Sequence, residues 1–159
     1  MSREIKYRGK RLDNGEWVYG FYWRIQNDDT TYDNYILLDT TRHISNVTQT
    51  AFRVDPNTVG RYIELKDEKE NEIYEDDIVE FEDLGEEGYE YKEGFDFTNY
   101  AVITWDNVYT KYTLTNFMES ENSDYANDSH NEIDGQFLIN TKIIGNIYDN
   151  PELLKENKD

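Results

Sequence analysis

The chain has 159 residues and a formal net charge of −19, because 35 Asp and Glu residues oppose 16 Lys and Arg residues. Such a surface repels phosphate, so the composition argues against direct binding to nucleic acid or to an anionic membrane. The chain has no cysteine, which excludes disulfides, thiolate nucleophiles and cysteine metal sites. Aromatic residues make up 15% of the chain, and the large area that they bury predicts a folded domain.

The amino-terminal segment lacks the apolar run of a signal peptide, and no segment approaches the ~20 apolar residues that span a bilayer. We therefore expect a cytoplasmic protein with no membrane partner. The charge is spread unevenly, since residues 1–11 carry five basic residues and one acidic residue, a net charge of +4, and the remainder carries −23. This asymmetry favours a homo-oligomer in which a basic edge of one subunit meets an acidic face of another.

The first predicted element is a β-hairpin. Residues 5–12 and 16–25 form its strands, and Asp13-Asn14-Gly15 forms its turn, because Asn-Gly supplies the positive φ angles of a tight turn. The second strand alternates, and we predict that its aromatic face is the buried face of a sheet. A platform for stacking nucleic-acid bases is the alternative, and the net charge disfavours it. The aromatic face consists of Trp17, Tyr19, Phe21, Trp23 and Ile25.

Two further strands are predicted at residues 35–39 and 47–54, where strand-forming residues are bounded by Asp, Asn and Thr. Asp55-Pro56-Asn57 then closes the first block, since proline cannot donate to a central ladder. We place a subdomain boundary there. The prediction is an amino-terminal β subdomain over residues 1–56 and a carboxy-terminal subdomain over residues 57–159.

The second block contains the acidic stretch ENEIYEDDIVEF, residues 70–81. A strand at residues 61–65 and a polar loop at residues 66–72 lead into it, and a strand resumes at Ile78. Asp side chains suit turns because they bond nearby backbone amides, so we interpret Glu75-Asp76-Asp77 as a bend with solvated carboxylates. The alternative is a site in which these carboxylates hold Mg²⁺ or Ca²⁺, or act as acid and base.

The rest of the second block alternates strands with two acidic segments. Residues 82–98 and 119–135 are rich in Asp and Glu, and both are predicted to be solvated loops. Strands are predicted at residues 101–105 and 109–115, and a last strand or strand pair at residues 136–148.

Two local signals mark the end of the chain. Gly145 predicts a β-bulge or a close approach, because a glycine inside a strand has no side chain to pack. Asn150 and Pro151 then predict a short helix, with Asn150 as the amino-terminal cap and Pro151 at the first helical position.

The sequence offers no coherent catalytic site. Its two histidines, His43 and His130, lie 87 positions apart in polar segments and belong to no catalytic or metal motif. No serine has the context of a nucleophile elbow, and no glycine-rich phosphate loop occurs. We therefore predict a non-enzymatic protein with no catalytic residue, no cofactor and no metal ion. A divalent-metal-dependent hydrolase that uses Glu75, Asp76 or Asp77 is the alternative.

Four segments of the chain form a recognisable series. They are KYRGKRLDNGEWVYGFY at residues 6–22, GRYIELKDEKENEIYEDDIVEF at residues 60–81, AVITWD at residues 101–106 and IIGNIYDNPELL at residues 143–154. Together and in this order they resemble the YopX family of phage and prophage proteins. The resemblance implies an all-β protein of phage or prophage origin, with an amino-terminal β subdomain that helps assembly and a carboxy-terminal barrel similar to SH3 barrels. It supplies no catalytic motif.

The sequence departs from the family pattern at two turns. Lys69-Glu70 stands where members commonly have Asn-Gly, and Glu75-Asp76-Asp77 stands where they commonly have Glu-Gly-Asp. Glycine favours the tight forms of such turns. The departures therefore bear on the tightness of both turns and leave the flanking strands intact.

The combined expectation is an all-β protein with an amino-terminal hairpin or meander, an SH3-like small barrel and a short carboxy-terminal helix. We expect it to act through protein contacts, as a homo-oligomer and with a host or phage protein as a further partner. The alternative function is that of an acidic DNA mimic, which inhibits a host nucleic-acid-binding protein because dense carboxylates imitate phosphates.

Overall fold

The protein is built from antiparallel strands, with short 3₁₀ helices at Pro56–Thr58 and Pro151–Leu154. The all-β prediction is therefore confirmed, while the SH3-like form of the barrel stays a prediction. The computed structural model describes residues 5–38, 51–83, 97–116, 133 and 140–154.

The chain divides into two compact units, Met1–Glu64 and Leu65–Asp159, which we call the first and the second unit. The sequence placed the boundary after residue 56. The strand that follows that point pairs with the first strand of the chain, with Tyr7 opposite Arg61, so it belongs in large part to the sheet of the first unit.

The first unit contains a sheet of strand order β4-β3-β2-β1-β5. The predicted hairpin forms β1 and β2, and β3 begins earlier than the predicted residue 35. Strand β5 continues into the second unit, where β6 is its neighbour in the sheet. The strands are β1 Tyr7–Lys10, β2 Trp17–Gln26, β3 Tyr32–Leu37, β4 Ala51–Arg53, β5 Gly60–Lys66 and β6 Glu72–Tyr74.

The turn of the first hairpin forms where Asn-Gly predicts it. Gly15 has a φ of 74°, a value that glycine adopts without steric cost. The Arg11 amide donates to the Glu16 carbonyl over 2.9 Å, and the Gly15 amide donates to the Arg11 carbonyl over 3.0 Å. The Asn14 side chain accepts from the Glu16 amide over 3.0 Å. These bonds fix the register of β1 against β2.

The core of the first unit lies on the face of β2 opposite the aromatic stripe. Val18, Ile36 and Val54 are buried together there, and Tyr7 and Tyr22 pack against them. The prediction that the aromatic stripe is the buried face is therefore wrong. Its three central side chains, Tyr19, Phe21 and Trp23, are 43%, 50% and 49% exposed.

Small side chains explain which face of β2 packs inward. At Gly20 an added Cβ would overlap the backbone carbonyl of Leu37, so the backbones of β2 and β3 approach closely there. At Gly9 the Val54 side chain lies within 3.1 to 3.3 Å of the place of a Cβ. The inward face of β2 thus combines Gly20 and Val18 with Tyr22, whereas the bulky Phe21 and Trp23 remain on the other side.

The second unit contains a four-stranded sheet of order β10-β7-β8-β9. The strand predicted from Ile78 and the three predictions that follow it each have a counterpart in this sheet, although the bounds differ from the predicted ones. The strands are β7 Asp77–Asp83, β8 Phe97–Asp106, β9 Lys111–Thr115 and β10 Lys142–Asn146.

Gly145 fulfils both halves of its prediction. The register of β10 against β7 shifts between Ile143 and Gly145, and an added Cβ at Gly145 would overlap the Asn150 side-chain oxygen. That oxygen accepts from the Asn146 amide over 3.3 Å. Asn150 precedes the helix and Pro151 begins it, as predicted, and the Asn150 carbonyl accepts from the Leu153 amide over 3.1 Å. The prediction that the Asn150 side chain caps the helix is wrong, because its oxygen bonds to the end of β10 instead, and the helix is a single 3₁₀ turn at Pro151–Leu154.

Several sequence predictions fall outside the described residues. These are residues 84–96 of the first acidic segment and residues 119–132 and 134–135 of the second, and both histidines, His43 and His130. Residues 47–50 and 136–139 of two predicted strands lie outside as well. Among the residues that are described, no helix has the length and apolar character that crossing a membrane requires.

Candidate functional site

The net charge separates along the same boundary as the two units. Residues 1–64 contain nine basic and nine acidic residues and are therefore neutral, whereas residues 65–159 contain seven basic and 26 acidic residues. The second unit thus carries the whole charge of −19. A contact made through the first unit avoids most of the repulsion that two copies of this acidic chain exert on each other.

The exposed stripe continues from β2 onto β3. The register places Phe21 opposite Leu37, Trp23 opposite Tyr35, and Ile25 opposite Asp33, and paired residues of neighbouring strands share a face. We call this surface the aromatic face. It consists of Trp17, Tyr19, Phe21, Trp23 and Ile25 of β2 with Asp33, Tyr35 and Leu37 of β3.

The aromatic face is large for a surface that faces solvent. An aromatic side chain buries 150–250 Å² when it is fully covered, so three side chains that are about half exposed offer roughly 300 Å². Patches of a few hundred Å² are the largest that monomeric soluble proteins usually expose, and many of them are functional. Tyr19, Phe21 and Trp23 therefore form a candidate docking surface.

The two ends of the aromatic face differ in charge. At the start of β2, the Lys10 ammonium lies 5.5 Å from the centre of the Trp17 ring. The Arg8 guanidinium lies 4.7 Å from the same ring, but Arg8 is only 6% exposed, so Lys10 is the cation that this end presents. At the other end, the loop after β2 contains Asp28 and Asp29. The face thus runs from a cationic end to an anionic end.

Hydrogen bonds keep the anionic end ionised. The Asp28 carboxylate accepts from the backbone amides of Thr30 and Thr31, both over 2.8 Å. The bond from the Thr30 amide is the strongest of the contacts that lower the pKa of Asp28 to about 2. Asp28 is therefore ionised at neutral pH.

The acidic bend forms where the sequence predicts it, but one of its carboxylates is buried. Asp77 is 1% exposed, and its carboxylate accepts from the Tyr74 amide over 2.8 Å. A buried amide needs an acceptor, and Asp77 supplies one inside the bend. The prediction of solvated carboxylates is therefore wrong at Asp77.

Asp76 connects the bend to two other parts of the second unit. Its amide donates to the Ile103 carbonyl of β8 over 2.9 Å, and its carbonyl accepts from the Ile147 amide over 3.1 Å. Its carboxylate accepts from the Tyr148 hydroxyl over 2.6 Å. The bend therefore joins β7 to β8 and to the segment after β10, which is a structural role.

The two departures from the family pattern fall on residues with left-handed backbones. Glu70 has a φ of 65° and Asp76 a φ of 67°, and each occupies the position of the commonly found glycine. An L-residue in this conformation is less favourable than glycine by roughly 1–2 kcal/mol. Both turns thus keep the geometry that glycine favours, at some cost in stability.

Asp67 is a structural carboxylate that the sequence reasoning missed. It is 4% exposed and accepts from the amides of Lys69 and Asn71 over 2.9 and 2.8 Å. Its other oxygen accepts from the Asn71 side chain over 2.9 Å and from the Ile143 amide over 3.4 Å. Aspartate at the first position of a hairpin loop, with polar residues two and four positions later, is the signal that could have revealed it.

The pKa of Asp67 reflects this competition between burial and hydrogen bonding. Burial is the largest single influence and raises the pKa, but the bonds from Asn71, Lys69 and Ile143 together outweigh it and hold the pKa below its ordinary value. The ionised form of Asp67 is therefore the form that stabilises the loop between β5 and β6.

Another carboxylate of the second unit is paired across two strands. Glu80 of β7 lies opposite Lys142 of β10, and the Lys142 ammonium donates to the Glu80 carboxylate. This bond is the main reason why the pKa of Lys142 is raised. In the described ranges, no three or more His, Asp or Glu residues lie in an arrangement that could hold a metal ion.

Comparison with known proteins identifies the family. A family model described as YopX protein matches residues 6–155, nearly the whole chain. None of the curated proteins matches the sequence. Since the matched segment spans both units, the chain belongs to the YopX family.

Proposed function

We propose that this protein acts through protein contacts and self-assembly rather than catalysis, as a phage or prophage protein in the cytoplasm of a bacterial host. The observation that carries the proposal is the separation of charge and aromatic surface. A neutral first unit exposes Tyr19, Phe21 and Trp23, whereas the second unit carries a charge of −19. The proposed assembly contact lies on the first unit.

Electrostatics supports this assignment. Copies of a protein with a net charge of −19 repel each other, and the repulsion is weakest where the surface charge balances. Family membership supports it as well, since the amino-terminal β subdomain of the family is expected to help assembly. The contacts of Asp67, Asp76 and Asp77 support the non-catalytic half of the proposal, because their bonds account for these carboxylates structurally.

Light scattering coupled to size-exclusion chromatography tests the assembly. The expected result is a molar mass that exceeds the 19.0 kDa of one chain and rises with loading concentration. The full chain is used, so that the charge of the second unit is present. A mass that stays at one chain up to several hundred micromolar contradicts the assembly.

The second candidate function is that of a DNA mimic that binds a host nucleic-acid-binding protein. The confinement of the whole net charge to residues 65–159 favours it, because a dense carboxylate surface competes with phosphates for basic residues. The expected result is capture of a DNA-binding host protein that DNA displaces and moderate salt abolishes. Failure to capture such a protein at low salt contradicts this candidate.

A further inference from the structure

We propose that the aromatic face is the surface through which two copies associate, with the two faces packed against each other in antiparallel orientation. The inference rests on the proposed function, and it adds the residues and the orientation of the contact. The aromatic residues of β2 supply its centre, and β3 supplies its flank.

The area of the face agrees with a second copy as the occupant. A stable interface buries about 800 Å² on each partner, and the three central aromatic side chains provide less than half of that. Neighbouring residues of the same two strands, Tyr35 and Leu37 among them, are only half-buried and add to this area. Aromatic side chains in the centre of a contact also supply a large share of the binding energy.

The charge distribution distinguishes a second copy from a partner of opposite charge. A basic partner is attracted to residues 65–159, where the net charge lies, and not to a neutral sheet face. Two copies of a neutral, aromatic face are compatible with each other in charge and polarity. The same patch can therefore be buried on both partners, as happens in two-fold symmetric dimers.

The ends of the face determine the orientation. Ten residues of β2 extend over about 33 Å, so the Lys10 end and the Asp29 end are well separated. When two faces pack in antiparallel orientation, the cationic end of one copy meets the anionic end of the other, and this happens twice. Parallel packing places like charges together instead, which is unfavourable.

Sedimentation velocity of the full chain tests the surface. Trp23→Lys and Phe21→Ser are each expected to raise the dissociation constant at least tenfold, and Val108→Lys in the second unit is the matched control. Val108 is 83% exposed, so its substitution is expected to change the constant less than twofold. Circular dichroism checks that each variant keeps its β structure. Because two different side chains are replaced, misfolding of one variant does not by itself explain weaker association in both.

The outcomes separate this inference from the proposed function. A wild-type chain that remains monomeric overturns the proposed assembly and the inference with it. A wild-type oligomer that Trp23→Lys and Phe21→Ser leave unchanged overturns the aromatic face alone, because assembly then uses another surface.

Charge exchange tests the antiparallel orientation. Lys10→Glu and Asp29→Lys each place like charges together at both ends of the contact, and each is expected to weaken association about threefold to fivefold, as exposed pairs do. The double variant restores opposite charges and is expected to recover association to within twofold of the wild type. A double variant that is weaker than either single variant overturns the antiparallel orientation.

Discussion

The two units place their polar and apolar side chains in opposite ways. The second unit carries the whole net charge, yet it buries Asp67 and Asp77. The first unit is neutral, yet it leaves Phe21 and Trp23 half exposed. Polarity alone therefore does not decide where a side chain lies. A buried carboxylate is stable where backbone amides need an acceptor, and an exposed aromatic stripe is stable where the opposite face of the strand already fills a core.

The sharpest test of this comparison is Asp77. Asp77→Ala leaves the buried Tyr74 amide without its acceptor, so the free energy of unfolding is expected to fall by about 2–3 kcal/mol. Urea denaturation followed by circular dichroism measures the change. Asp77→Asn keeps one acceptor oxygen and is expected to cost less than the alanine variant. If both variants lose the same small amount of unfolding free energy, the bond between Asp77 and the Tyr74 amide does not stabilise the bend.

Asp67 gives the next largest effect and adds a dependence on pH. Its folded pKa lies below the ordinary value of about 3.9, so its contribution to stability is complete above that value and is lost as the pH falls through the lowered pKa. Asp67→Asn cannot ionise. The difference in unfolding free energy between wild type and Asp67→Asn is therefore expected to stay constant above about pH 5 and to shrink below about pH 4.

Urea denaturation of both proteins between pH 3 and pH 7 measures this difference. Glu68→Gln is the matched control, since Glu68 is an exposed carboxylate of the same loop, and its substitution is expected to leave the pH dependence of stability close to that of wild type. Wild-type and Asp67→Asn curves that run parallel down to pH 3 would contradict the role assigned to the ionised Asp67.

Replacing the left-handed turn residues by glycine is expected to change the free energy of unfolding less, and in opposite directions at Glu70 and Asp76. Glu70→Gly relieves the unfavourable φ and loses only an exposed ion pair with Lys66 at 3.2 Å, so a gain of up to about 0.5 kcal/mol is expected after the entropic cost of glycine. Asp76→Gly relieves a similar φ but removes the acceptor of the Tyr148 hydroxyl. A net loss is expected there. Thermal denaturation of the two variants side by side measures the contrast.

The smallest effect on stability is expected on the aromatic face. Trp23→Ser removes a half-exposed side chain that the core of the first unit does not include, so the free energy of unfolding of the monomer is expected to change by less than about 0.5 kcal/mol. Tyr22→Ser, on the buried side of the same strand, is the contrasting variant and is expected to cost more. Urea denaturation at low protein concentration measures both variants. Equal losses of unfolding free energy in the two variants would show that the aromatic face supports the fold.

The positions of β1 and β2 can be predicted from the sequence, whereas the side of a strand that is buried cannot. Alternation and the Asn14-Gly15 turn predict β1 and β2 because they are local signals. Both faces of β2 carry apolar residues, however, and the choice between Val18 and Phe21 depends on Ile36 and Val54, which come from elsewhere in the chain. For that reason, the prediction that the aromatic face of β2 is buried was wrong.

The acidic turns show the same limit. The sequence places the bend correctly at Glu75-Asp76-Asp77, since short polar residues favour turns. A carboxylate that is solvated and one that accepts from a buried amide look alike in a sequence. Only the arrangement of β7, β8 and β10 encloses Asp77, and only the contact between the 67–71 loop and Ile143 of β10 completes the bonds of Asp67.

Hydroxyl-radical footprinting of the full chain, at concentrations below and above assembly, tests the central claim most directly. On assembly, the oxidation of Tyr19, Phe21 and Trp23 is expected to fall several-fold, while that of Tyr109, an exposed aromatic residue of the second unit, stays constant. An assembled protein in which the three β2 side chains oxidise as fast as in the dilute chain would contradict the account.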